Sequence, residues 1–257
     1  PWLWLLLGIP LAWDAAGRVI RVVFLALATL LVAVMAVAGV VGPGPLLALG
    51  MSAILVAAVT RRSQPPTRPG LALGGAVSFV LLLLGLSRVA RDQARSALEP
   101  ARRGAVLDVI LNPNPANPLC WSVIGVEKDE AAGEYTLRRA ALSLLPAWQP
   151  PSRCVSYRLA GGGQQAIASG GSVAWIDAQR QPLAVLRDRA GRDCRVTAWM
   201  RFGRAPLLRD GGIADVRFET GARGNFTAMA LNPEPRASPC PAYVPGLEMP
   251  RADLLAP

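Results

Sequence analysis

Between Val22 and Thr60 there is not one charged residue. Thirty-nine consecutive positions are mostly Leu, Val, Ala, Met, Ile and Gly, broken only by Gly42-Pro43-Gly44-Pro45. A bilayer core about 30 Å thick needs roughly 20 apolar residues per helix. The run therefore divides into one expected span over 19–41 and a second over 46–62, with the Gly-Pro pairs supplying the turn between them. Arg61 to Gly70 (RRSQPPTRPG) reads as a loop. A third span is expected over 70–88, where Gly74, Gly75 and Ser78 offer a small-residue face for helix packing. Residues 1–13 are apolar, with Trp2, Trp4 and Trp13, but too short to cross. They read as the tail of a spanning helix or as a segment lying in the interface, where tryptophans prefer to sit. They lack a basic leading region and a small-residue cleavage site, which argues against a signal peptide. Pro1 at the start fits a fragment of a longer chain, and equally a chain whose initiator Met has been removed.

Charge is distributed to match. The chain has 27 basic and 17 acidic side chains, a net of +10. Residues 61–104 alone hold eight arginines against Asp92 and Glu99. A surplus gathered beside apolar spans is the pattern of a membrane flank, not of a nucleic-acid-binding face, and no nucleic-acid partner is expected. Arg88, Arg91, Arg95 and Arg102 recur on one side of a helix continuing from the third span. They read as a solvated or lipid-facing stripe, with anionic head groups as the ligand. If 1–13 is embedded, the basic loops 14–21 and 61–68 share one side. The positive-inside rule makes that side cytoplasmic and places the C-terminal domain in the periplasm.

Histidine is absent. That closes most zinc-hydrolase and triad chemistries to this chain. No cofactor of its own is expected.

From Ala105 the texture changes to short β-prone runs separated by Gly, Pro and Asn. Strands are expected at 106–111, 122–126, 135–144, 155–159, 173–176, 183–186, 195–202, 214–219 and 226–231. The expected fold is a membrane α-helical region over 1–104, with its basic juxtamembrane helix. A mostly antiparallel β (α+β) extramembrane domain follows over 105–257, ending in a proline-rich tail from Asn232. Cys120, Cys154, Cys194 and Cys240 all fall in that domain. Export would favour up to two disulfides in one of three pairings. A cytosolic domain would leave buried thiols, and a metal site would need all four cysteines together.

Asn112-Pro-Asn-Pro-Ala-Asn-Pro-Leu-Cys-Trp121 is the most unusual local sequence. A residue before proline is pushed out of the α region, so three Asn-Pro pairs force extended and turn conformations. Asn112, Asn114 and Asn117 could present amides to a ligand. The plainer reading is a rigid loop anchored by Trp121. Gly161–Gly163 and Gly170-Gly171 lack the residues of a phosphate loop and read as turns. Asp215-Val-Arg-Phe-Glu219 alternates as a strand with a solvated charged face.

Taken together, Pro1-Trp-Leu-Trp-Leu-Leu-Leu-Gly8, Asn117-Pro-Leu-Cys-Trp121, Trp199-Met-Arg-Phe202 and Asp215-Val-Arg-Phe218 resemble a known family. It is the bacterial inner-membrane metal-dependent hydrolase family, some of whose members are described as LexA-binding. The resemblance implies a multi-pass inner-membrane protein and a divalent metal for the full-length family. That metal is held by His and Asp in His-Arg-Gly and Asp-Trp-x-Asn motifs, which nothing here matches, so no catalytic or metal-binding residue is carried over. The expected role is the anchoring and accessory β portion of such a hydrolase, in a fragment or a truncated, inactive member. The alternative is a non-enzymatic membrane-anchored binding or scaffold module. Membrane lipids are the expected partner, and no motif names a partner protein. A channel or transporter is disfavoured, because no ionisable group lies at depth between Val22 and Thr60.

Overall fold

The computed structural model describes residues 1–14, 17–37, 42–99, 104–155, 168–209, 211–218, 226–231 and 251–256. The chain forms two compact units. One comprises Pro1–Val89 with Pro113–Leu119, the other Ala90–Asn112 with Cys120–Pro257. The class is α+β: helices first, then a mostly antiparallel β region. The division between these units falls inside a helix, at Val89/Ala90. The Asn-Pro loop belongs with the helices.

Four helices build the first unit: α1 (Trp2–Asp14), α2 (Arg18–Val37), α3 (Pro43–Arg62) and α4 (Arg68–Leu98), the last continuing into the second unit. Pro43 and Pro45 sit in the first turn of α3, where a missing N–H costs nothing. At the other end of α3, Arg68 Nε and Nη2 donate to the carbonyls of Thr60 and Ser63, each at 3.3 Å. A cation there satisfies orphan carbonyls and opposes the negative end of the helix dipole. The short helix α1 is the packing centre. Its Leu5 and Ile9 are buried with Leu49 of α3 and Ala116 of the Asn-Pro loop. Trp4 stacks on Phe24 of α2 with ring centroids 4.6 Å apart, and Trp2 stacks on Phe79 of α4 at 6.0 Å. Gly8 lets α2 approach, since a Cβ there would lie 2.8 Å from Phe24 Cε1. Of the expected small-residue face on α4, Gly75 meets Leu6 of α1, whereas Gly74 has open space.

The second unit is built on a five-stranded sheet of order β1-β2-β3-β5-β4. Its strands are β1 (Ala105–Pro113), β2 (Cys120–Asp129), β3 (Glu134–Ser143), β4 (Ala168–Gly170) and β5 (Val173–Pro182). The β2–β3 hairpin turns at Gly133, whose φ of 66° suits glycine. In the β3–β5 pair a register shift between Arg139 and Ala140 marks a bulge. Among the described residues a second, three-stranded sheet is formed by β6 (Pro206–Arg209), β7 (Gly212–Asp215) and β8 (Met229–Ala230). One face of the large sheet carries Ile124, Val126, Tyr135 and Leu137 into the main core, against Leu207 and Ile213 of the small sheet. Gly125 points to the opposite face. There Leu98, at the end of α4, comes so close that a Cβ on Gly125 would sit 2.9 Å from its Cδ2. Ala90, Ala94 and Leu98 are buried at i, i+4 and i+8, the inward stripe of that helix.

Two expected strands are helices. Residues 183–186 open α5 (Leu183–Arg192), and 194–199 form α6 (Cys194–Trp199), with a turn through Phe202. The buried positions Leu183 and Leu186, and Val196, Trp199 and Met200, follow helical spacing. Asp193 caps α6 by accepting the Arg195 amide at 2.9 Å. The strand expected over 214–219 stops at Asp215, and Val216–Phe218 is a 3₁₀ turn. The strand expected at 226–231 is only Met229–Ala230. The expected strand at 155–159 lies outside the described residues beyond Val155, as do Gly161–Gly163, Glu219 and most of the tail. The end of that tail, α7 (Ala252–Leu255), buries Leu254 in the main core.

Candidate functional site

The first unit presents an aliphatic surface between arginine rims. Val19, Val22, Leu27 and Leu30 of α2, Leu47, Met51, Ile54 and Leu55 of α3, and Leu73, Leu81, Leu82 and Leu84 of α4 are all exposed. Among the described residues, two helices are long and apolar enough to cross a membrane: Pro43–Arg62, and the run Pro65–Leu98 that contains α4. Only 11 % of the most apolar window of each is buried. A water-soluble core helix would show the reverse. Arg18 and Arg21 open α2, Arg61 and Arg62 close α3, and Arg88, Arg91 and Arg95 follow the apolar part of α4. Arg88 and Arg95 are exposed and Arg91 is half-buried, while Arg102 lies outside the described residues.

The Asn-Pro loop turns its amides inward. Asn114 Oδ1 accepts from the backbone amides of Ala116 at 3.0 Å and Asn117 at 3.1 Å. Asn117 Oδ1 accepts from the Leu119 amide at 3.1 Å. These are Asx turns, in which the side chain substitutes for backbone. They point the Ala116 carbonyl at Trp2, whose indole Nε1 donates to it at 3.2 Å. Asn112 lies near the end of β1, and Trp121 is buried in β2.

In the second unit Cys120 and Cys154 form a disulfide across 34 residues, tying the start of β2 to the 3₁₀ turn Pro151–Cys154. Cys194 is also disulfide-bonded, and Cys240 lies outside the described residues.

Carboxylates here are engaged by arginines. Asp215 is fully buried, not on a solvated strand face as its alternation suggests. One oxygen accepts the Arg217 amide at 3.0 Å. The other takes the Arg204 amide at 2.9 Å and the Arg217 guanidinium at 2.9 and 2.7 Å. Arg217 also donates to the Phe202 carbonyl at 2.7 Å and lies over the Phe218 ring. The two motifs Trp199–Phe202 and Asp215–Phe218 thus meet. Trp199 Nε1 closes the cluster on the Thr227 carbonyl at 2.7 Å. Arg138 forks onto buried Glu127, and Arg139 pairs with Asp177. Arg204 reaches Asp108 at 2.6 Å from 96 positions away, a pairing no local sequence pattern could reveal. The hydrogen bond from the Arg195 side chain holds the Asp193 carboxyl below its ordinary range. Burial pushes the Tyr135 phenol up, while its hydroxyl donates to the Pro206 carbonyl at 2.9 Å.

A metal of the kind the family resemblance implies finds no fit in this arrangement. Among the described residues no three His, Cys, Asp or Glu side chains are grouped to hold an ion. Asp108, Glu127, Asp177, Asp193 and Asp215 are each committed to a guanidinium. No protein-family profile, curated protein or solved structure matches the chain.

Proposed function

We propose that this chain is the anchoring and accessory portion of an integral inner-membrane protein of the metal-dependent hydrolase family it resembles. The helical unit lies in lipid, and the β unit stands in the periplasm. The observation that carries the reading is the exposed aliphatic surface of α2, α3 and α4 between arginine rims, which water would penalise and acyl chains accept. Arg88 and Arg95, where α4 emerges, contact anionic head groups. Disulfides at Cys120–Cys154 and at Cys194 support an oxidising compartment. The chain supports hydrolysis rather than performing it. Purified in detergent and supplied with zinc or manganese, it shows no turnover of ester, phosphoester or amide substrates above background. Turnover that survives purification to homogeneity refutes this part of the reading.

A second reading, a membrane-anchored scaffold with no catalytic partner, is favoured by the commitment of the buried carboxylates to arginines, which suits a stable binding platform. The two part on the gene. The first requires clustered His and Asp motifs upstream in the native reading frame, and the second requires none.

A further inference from the structure

From Leu144 to Ser152 the chain carries no charge (LLPAWQPPS). The stretch leaves β3 and makes one helical turn, in which the amides of Trp148 and Gln149 donate to the Leu145 carbonyl at 3.0 and 2.9 Å. Leu144 and Pro151 are buried at its two stems. Between them Leu145, Pro146, Ala147 and Trp148 are exposed, Leu145 by 49 % and Trp148 by 84 %. The tip is well fastened. On one side β3 pairs with both β2 and β5. On the other, Pro151–Cys154 is tied to β2 by the Cys120–Cys154 disulfide. Pro146 and Pro150 stiffen the turn itself. A fastened, charge-free tip that presents an indole and an isobutyl group to water is a surface awaiting an apolar medium, and its rigidity leaves little entropy to lose on docking.

We propose that the Leu145–Trp148 tip inserts into the boundary between head groups and acyl chains of the bilayer. The proposal rests on the reading that the apolar helices lie in lipid. Tryptophan favours that boundary, where the ring is accommodated and Nε1 still reaches water or head groups. A protein-docking hot spot gains its strength in a water-excluding pocket rimmed by polar contacts. This tip leaves Trp148 84 % exposed, and the nearest charged side chain along the chain is Arg153. A basic flank beside an apolar tip suits anionic lipid.

The test uses the full chain in vesicles of phosphatidylethanolamine and phosphatidylglycerol whose acyl chains are brominated close to the carbonyls. Subtracting the emission of Trp148→Phe from that of the native chain isolates Trp148. The expected result is blue-shifted emission that loses most of its intensity to brominated lipid and resists aqueous iodide. A Leu145→Ser variant should shift that emission to the red and weaken the bromine effect. Emission quenched by iodide and untouched by bromine overturns the proposal. So does emission protected from both quenchers, which would mean a protein occupant such as a second copy. Six tryptophans remain in Trp148→Phe, and a further variant with Trp121, Trp175 and Trp199 also replaced by Phe leaves Trp2, Trp4 and Trp13 to report on the helical unit. If they are quenched by bromine while Trp148 is not, only the tip proposal falls. If none is quenched, the membrane reading falls with it.

Discussion

Asp215 is the side chain whose removal should reveal most about the second unit. Its carboxylate has no exposed surface and holds two backbone amides as well as the Arg217 guanidinium. Replacing it by valine leaves both amides without an acceptor and a largely buried cation without its counter-charge. Breaking a buried ion pair on one side costs about 3–5 kcal/mol, and each orphaned amide about 1–3 kcal/mol if nothing relaxes. Arg217 keeps the Phe202 carbonyl and partial exposure, so the combined loss should be about 4 kcal/mol, a large share of a typical 5–15 kcal/mol. Arg217→Met should cost less, about 2 kcal/mol, because the carboxylate retains its two amides. The informative case is the double variant. Were the pair a simple ion pair, replacing both members by apolar side chains would restore stability. Here the amides of Arg204 and Arg217 stay orphaned, so Asp215→Val/Arg217→Met should remain about 3 kcal/mol below the native protein. Chemical denaturation of the full chain in mild detergent, with amide hydrogen exchange read over residues 204–217, measures all three. A double variant within about 0.5 kcal/mol of the native protein would refute the amide-clamp argument.

Other expectations follow from single features of the two units. Removing the Cys120–Cys154 disulfide by paired serine substitution opens a 34-residue loop and should cost about 4 kcal/mol on the chain-entropy model, read as a lower denaturant midpoint. The buried Tyr135 phenol is held neutral above its ordinary value, so its contribution is complete below about pH 10 and is lost as pH rises further, at up to about 1.4 kcal/mol per pH unit. Tyr135→Phe should flatten that alkaline limb while costing about 1 kcal/mol at neutral pH, and an unchanged limb would show that another group titrates. Gly8→Val should push Phe24 off Trp4 and destabilise the α1–α2 packing by about 1–3 kcal/mol, seen as earlier thermal aggregation in detergent.

How much was legible depended on what each residue had to satisfy. The helices α2, α3 and α4 could be read because an uninterrupted apolar run admits few alternatives. The strands β2 and β3 could be read because β-prone runs there are bounded by turn-forming residues. Leu183–Leu186 and Arg195–Phe202 were misread as strands because short apolar runs do not distinguish the two periods. Leu183, Leu186 and Ala190 at i, i+3 and i+7, and Asp193 before α6, held the helical signal. Asp215 was misread because alternation says which residues share a face, not which face is wet. Only a partner folded beside it, Arg217 in the adjoining 3₁₀ turn, makes burial of its charge tolerable. The Arg204–Asp108 pair and the closure of α7 onto the core depend on distant segments meeting and leave no local trace.

The central claim is that lipid is the solvent for α2, α3 and α4. Alkaline carbonate extraction of membranes from expressing cells, followed by detergent, tests it most directly. The account predicts that the chain stays in the pellet through carbonate and enters the supernatant only with detergent. Release by carbonate as a monodisperse species, stable without detergent, would contradict it.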